Sequence, residues 1–191
     1  MQANLIKLRT QIGGKFSRLD LGLFDLKRRL VDAGIEVNYP AGDFIVKTVN
    51  GVDLSFDPDT ESLSFFEVET EYLKSIRDSS FHTVHNAFRG NLGYVGKSAG
   101  MEIAYAMLHR VPVVLMYHPS FQASIDSRIR NLLSSKEHLF NIIRIDRLTD
   151  SQLLNQLERI SASRVDYVLS VETELNIMAN VETILNEYRS L

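Results

Sequence analysis

Apolar positions along the chain change period several times, and each change predicts an element. Residues 4–12 (NLIKLRTQI) read as an opening strand of loose alternation, followed by a turn at Gly13-Gly14-Lys15. Leu19, Leu23, Leu26, Leu30 and Val31 fall at helical spacing, which predicts a helix over 18–33 stopped by Gly34. Ile35-Glu36-Val37-Asn38-Tyr39 predicts a second strand, ended by Pro40. Strand, glycine turn, helix and strand in that order open a parallel α/β sheet.

The pattern then shifts. Two alternating runs, 43–49 and 52–56, flank Asn50-Gly51, the dipeptide that best fits a tight two-residue turn. They predict a β-hairpin excursion outside the main sheet. Residues 62–79 predict a helix capped by Ser62 or Ser64, with Leu63, Phe66, Leu73 and Ile76 as its apolar stripe. Glu67, Glu69 and Glu71 crowd its first half and read as a solvated face. Residues 81–87 (FHTVHNA) predict a strand with His82 and His85 on one face, either partly buried or at the surface, or paired on a metal. Asn86 closes it at the end where parallel sheets bind ligands.

Residues 93–118 (GYVGKSAGMEIAYAMLHRVPVVLMYH) organise the rest. A glycine-rich turn (Gly93, Gly96, Gly100) leads into a short helix with Glu102 near its start, then into a buried strand over 113–117. Ala99, Gly100, Ala104 and Ala106 leave room for a close backbone or a ligand. Glu102 has two readings. It is a carboxylate obeying the preference of helix starts for negative charge, or a functional acid. Beyond it, 139–145 predicts a strand, 149–162 a helix, 166–171 a short strand or an approach to a helix, and 173–190 a last helix. That helix takes Leu175, Met178, Val181, Ile184, Leu185 and Tyr188 as its apolar stripe. The whole predicts one domain over 1–191, a doubly wound, mostly parallel α/β sheet of the Rossmann or flavodoxin-like kind, with a hairpin and a C-terminal helix.

Composition narrows the chemistry. In 191 residues, 45% are hydrophobic and 24% charged, enough chain for a real core. A formal net charge of -3 argues against a nucleic-acid polymer as partner. The absence of cysteine excludes a thiolate nucleophile, a disulfide framework and a thiolate zinc site. The five histidines form no HExxH pair, so no metal and no other cofactor is expected. No apolar run has a membrane-spanning length, and no secretory leader is read at the start, which fits a cytoplasmic protein.

The segment GMEIAYAMLHRVPVVLM, with Gly93-Tyr94-Val95-Gly96-Lys97-Ser98 before it, resembles the active-site segment of the nucleoside 2-deoxyribosyltransferase superfamily. The resemblance is good over these 26 residues and loose elsewhere. It implies that Glu102 is a nucleophile toward the anomeric carbon of a nucleoside or nucleotide, and that the protein is a homodimer or higher homo-oligomer. Gly13-Gly14-Lys15 resembles the corresponding turn of the 2'-deoxynucleotide N-hydrolases in the same superfamily. A plain strand-to-helix connection is the alternative reading of those three residues. Lys15, Lys97 and Ser98, with Gly13, Gly14 and Gly100, are then the candidate phosphate and substrate contacts, joined by Asn86 and by Tyr94 as a stacking surface.

Two features depart from the family. Tyr72 stands where a helix Asp would help hold substrate, with Glu69 or Glu71 as substitutes. Gly96, Lys97 and Ser98 stand where the transferases carry an acid. These departures leave two functions in view: cleavage or transfer at an N-glycosidic bond, or nucleotide binding without catalysis.

Overall fold

The computed structural model describes residues 7–14, 22–39, 45–49, 52–56, 64–163 and 168–189. In chain order the elements are β1 (Arg9–Gly14), α1 (Gly22–Asp32), β2 (Glu36–Tyr39), β3 (Ile45–Val49), β4 (Val52–Phe56) and α2 (Phe65–Arg77). Next come β5 (Phe81–His85), the short strands β6 (Ala87–Phe88), β7 (Asn91–Leu92) and β8 (Tyr94–Val95), and α3 (Lys97–Leu108). The chain continues through β9 (Val113–Leu115), β10 (Ser120–Phe121), α4 (Ser127–Ser135), β11 (Asn141–Ile142), α5 (Asp150–Ala162) and α6 (Val171–Arg189). No helix among the described residues is long and apolar enough to cross a membrane.

Five strands form the main sheet in the order β11-β9-β5-β1-β2, and every pairing in it is parallel. The chain leaves β1 for β2 on one side and returns to β5 on the other. Connections that diverge from neighbouring strands open a crevice at their C-terminal ends. That crevice lies between β1 and β5, paired in register from Thr10↔Phe81 to Gly14↔His85.

Strand alternation splits the core into two layers. Val113 and Leu115 of β9 join the cluster that includes residues of α2, α3, α4 and α6. Val114 between them joins the cluster beneath α1 and α5. Helix ends are set locally. Ser64 and Glu67 form a reciprocal capping box at α2, and Thr149 and Gln152 form another at α5.

Several elements differ from the pattern-based expectation. Gly13 and Gly14 are the last two residues of β1 and not a turn after it. Gly100 lies inside α3, whose N-cap is Gly96. The strand expected over 139–145 shrinks to Asn141–Ile142, flanked by single 3-10 turns at Glu137–Leu139 and Ile145–Arg147. The stripe read on the last helix holds in its second half, at Val181, Ile184, Leu185 and Tyr188, and fails in its first. Ile177, Val181 and Ile184 are buried, whereas Leu175 and Met178 are 65% and 48% exposed.

The two β5 histidines do not share a face. They are three residues apart in a strand of period two, so His82 faces α3 and His85 the opposite side. Strands β3 and β4 do pair antiparallel from Ile45↔Phe56 to Val49↔Val52, as the hairpin reading requires. The Asn50-Gly51 turn, Lys15, and the residues expected to form a strand at 166–167 lie outside the described residues.

Candidate functional site

Glu102 is the sixth residue of α3, and the first turn of that helix carries no acid. The attraction of a helix start for negative charge fades within the first turn, so it does not account for this residue. Glu102 is only 6% exposed and sits among apolar neighbours on α3, including Met101, Ile103 and Ala106. A carboxylate placed so deeply needs partners or must hold its proton.

Its partners come from three directions. From α2, the Tyr72 hydroxyl lies 3.1 Å from Oε2 of Glu102 and 3.0 Å from the Ile12 carbonyl oxygen, and donates toward either. From β5, Nε2 of the fully buried His82 lies 3.7 Å from the same Oε2. From β1, Gly13 presents bare backbone to the carboxylate. A Cβ built on Gly13 would collide with Glu102 Oε2 and crowd the Tyr72 hydroxyl and His82 Cε1. The β1–β2 ladder ends at Gln11↔Tyr39. The end of β1 therefore offers the Ile12 carbonyl to a side chain.

A second carboxylate completes the group. Glu69, one helical turn before Tyr72 on α2, is partly buried as a residue. Its Oε1 is sealed from solvent and has no hydrogen-bond partner among the described residues. Burial pushes the Glu69 carboxyl up to about 7. Burial, and then the charge of Glu69, push Glu102 up to about 8, against a smaller lowering by Tyr72. Tyr188, in the last turn of α6, feels both acids. Burial and then Glu69 hold its phenol well above the usual range. Its hydroxyl meets Ser98 Oγ of α3 at 3.4 Å. Burial, followed by Glu102 and Glu69, likewise raises Tyr72. Two carboxyls and two phenols thus converge where α2, α3 and α6 meet over the end of β1.

The other sequence candidates scatter around this centre. Gly14 has φ +129, and a Cβ there would strike the His85 carbonyl, so this position is glycine for backbone reasons. Gly100 is filled against the Ile125 side chain. The Asn86 side chain is occupied: Oδ1 accepts from the Met116 and Tyr117 N–H groups at 3.1 Å, and Nδ2 donates to the Tyr117 carbonyl at 2.7 Å. It ties the end of β5 to the end of β9. Lys97 Nζ donates to both carboxylate oxygens of Glu187 on α6, at 2.5 and 2.7 Å. Tyr94 packs its ring on the N-cap Gly96 and tilts against Phe88 at 5.8 Å between centroids.

Tyr72, which stands in place of the Asp that the resemblance implies, and Glu69, one of its two candidate substitutes, both join the centre. The only local signal was their i, i+3 spacing on α2, which places them on one face. His82 had no signal beyond its strand position. Among the described residues no cluster of His, Asp and Glu is arranged to hold a metal. Comparison with family models, with curated proteins and with solved structures found no match.

Proposed function

We propose that this protein breaks an N-glycosidic bond of a nucleotide or nucleoside, with Glu102 as the nucleophile toward the anomeric carbon. The parallel with the nucleoside 2-deoxyribosyltransferase superfamily, and the flavodoxin-like description of the fold, belong to this proposal. The observation that carries it is the placement of Glu102. A buried carboxylate meets bare glycine backbone at the C-terminal end of β1, beside β5, where parallel sheets with this strand order take ligands.

The chemistry follows from the pair of acids. Both carboxyls, at about 7 and about 8, change protonation near neutrality; the higher value leaves the proton on Glu102 in the free protein, so the reaction requires that substrate binding move that proton to Glu69 before Glu102 attacks. Ionised Glu102 attacks the anomeric carbon with the Tyr72 hydroxyl steadying its Oε2. The carbon–nitrogen bond breaks, and the base leaves with the bonding electron pair and takes a proton from Glu69. Water, or a second base, then attacks the anomeric carbon of the glycosyl ester, gives its proton to the now ionised Glu69, and frees Glu102 as carboxylate. Glu69 in this role supplies the acid that positions 96–98 lack.

Lys97, Ser98 and Lys15 are assigned to a 5'-phosphate, and Tyr94 to the base. Lys97 and Glu187 are 41% and 55% exposed, and an exposed pair is worth roughly 0–1 kcal/mol, so an incoming phosphate displaces Glu187 at little cost. Assembly as a homo-oligomer and a cytoplasmic setting are part of the same reading.

A second reading, nucleotide binding without turnover, has its own support. Glu102 is nearly closed off, Asn86 is consumed by backbone, and Lys97 is already paired. A base-release assay separates the two. Nucleosides and 5'-monophosphates, ribo and deoxy, are incubated with the protein and a second free base, and products are resolved by chromatography. Free base from monophosphates supports hydrolysis, and exchange into the second base supports transfer. Thermal stabilisation by the same compounds without any product supports the binding reading.

A further inference from the structure

The imidazole of His82 has no part in the reaction outlined above, yet it is fully buried beside the carboxyl on which that reaction depends. Its Nδ1 lies 3.1 Å from the Gln11 carbonyl oxygen. A carbonyl only accepts, so Nδ1 carries the proton and Nε2 presents a lone pair. Nε2 is sealed from solvent, has no hydrogen-bond partner among the described residues, and lies 3.7 Å from Glu102 Oε2. Two lone pairs facing one another in a buried site repel unless a proton lies between them.

The hydroxyl of Tyr72 poses the same arithmetic. It has one proton and two acceptors in reach, Glu102 Oε2 and the Ile12 carbonyl, while the Gln11 side chain approaches its oxygen on the donor side. With Glu102 ionised, that single proton is shared between Oε2 and the Ile12 carbonyl, and nothing among the described residues donates to His82 Nε2. With Glu102 neutral, the carboxyl proton can be given to the phenol oxygen or lie on the side of Nε2, which removes the facing of two bare lone pairs, and the Tyr72 proton is released to Ile12. The buried donors and acceptors balance better in the neutral state.

We propose that His82 is a positioning residue for Glu102: its fixed Nε2 lone pair favours the protonated carboxyl in the free protein and sets the pH at which that carboxyl ionises. The groups that face this contact are the Gln11 carbonyl from β1, Glu69 and Tyr72 from α2, Glu102 from α3 and Tyr188 from α6. The two acids and two phenols add no positive charge that would hold Glu102 ionised. Burial keeps His82 itself neutral down to about 4, so it remains an acceptor throughout the range in which Glu102 titrates. Ionisation of the nucleophile is then coupled to ligand entry, because a cationic sugar centre or a donor from substrate offsets the repulsion. The functional weight of this device rests on the proposed role of Glu102; its test does not.

The test is a carbon-13 NMR titration of the Glu102 side-chain carboxyl in the full chain. It compares the unmodified protein with His82→Leu and His82→Gln, using Glu102→Gln to assign the signal. Removing the lone pair in His82→Leu lowers the Glu102 midpoint by about one pH unit. In His82→Gln an amide N–H can turn toward Oε2, and the midpoint falls at least as far. An unmoved or raised midpoint in folded variants overturns the proposal. Nitrogen-15 spectra of the His82 ring in the unmodified protein give a second reading that needs no variant. A protonated Nδ1 and bare Nε2 from pH 5 to 8 support the proposal, and an Nε2–H tautomer overturns it. A shifted Glu102 midpoint in a protein that releases no base removes the glycosidase reading and leaves this one standing.

Discussion

Gly13 and Glu102 occupy one space: the Oε2 of Glu102 sits where a side chain on Gly13 would begin. The two residues are far apart in sequence and meet because α3 packs across the end of β1. Gly13 is thus a condition for the site and not a turn residue. Gly13→Ala should push the Glu102 carboxyl, and with it the Tyr72 hydroxyl, out of place. Overpacking of this kind costs roughly 1–3 kcal/mol. We expect a lowered melting temperature together with loss of base release. A Gly13→Ala variant with unchanged turnover would mean that the carboxylate does not need its present position.

The buried acids make stability depend on pH in a definite direction. Glu69 and Glu102 have folded values raised to about 7 and about 8, so between the ordinary carboxylate range and these values only the folded state holds their protons. Stability from both is greatest at low pH and falls as pH rises toward 8. His82, depressed to about 4, acts oppositely below its ordinary value of 6.5, where the unfolded chain binds the proton. The window from about 6.5 to 8 therefore isolates the acids. Each proton contributes a slope of roughly 1.4 kcal/mol per pH unit. Chemical denaturation across this window should show stability falling in the unmodified protein and falling less steeply in Glu102→Gln. Parallel profiles would show that Glu102 is already ionised at pH 6.5.

Asn86 should behave as a structural residue. Its Oδ1 takes two backbone N–H groups at the end of β9, and Asn86→Ala strands both in the interior. Leaving buried donors unpaired costs about 1–3 kcal/mol each. Thermal denaturation of Asn86→Ala should show a drop of several degrees. If the chain is an enzyme, KM should change less than stability does. A variant with native stability and a collapsed KM would return Asn86 to the list of substrate contacts.

Local pattern carried most of the fold and little of the site. The helices α1, α2, α3 and α5, the strands β2, β5 and β9, and the β3–β4 pair were readable because their periodicity and caps lie within a few residues. The first half of α6 was not. Leu175 and Met178 continue the stripe of Val181 and Ile184 as well as Ile177 does, and only packing against α2, α3 and α4 selects Ile177. Glu102 stood out through its motif. Its neighbours did not, because Gly13, Tyr72 and His82 reach it from three elements separated by tens of residues. Glu69 and Glu71 look alike in sequence. The turn of α2 partly buries the first and exposes the second.

The most direct test of the account is base release by the unmodified protein and by Glu102→Gln, side by side, on the nucleotide and nucleoside panel. Gln keeps the shape of the side chain and removes its charge and nucleophilicity. Loss of a residue acting as nucleophile typically costs several orders of magnitude in kcat. The account predicts free base from at least one panel member and a fall of roughly 10³-fold or more in Glu102→Gln, with the fold retained by circular dichroism. Equal turnover by the two proteins, or no release from any substrate by the unmodified one, would contradict it.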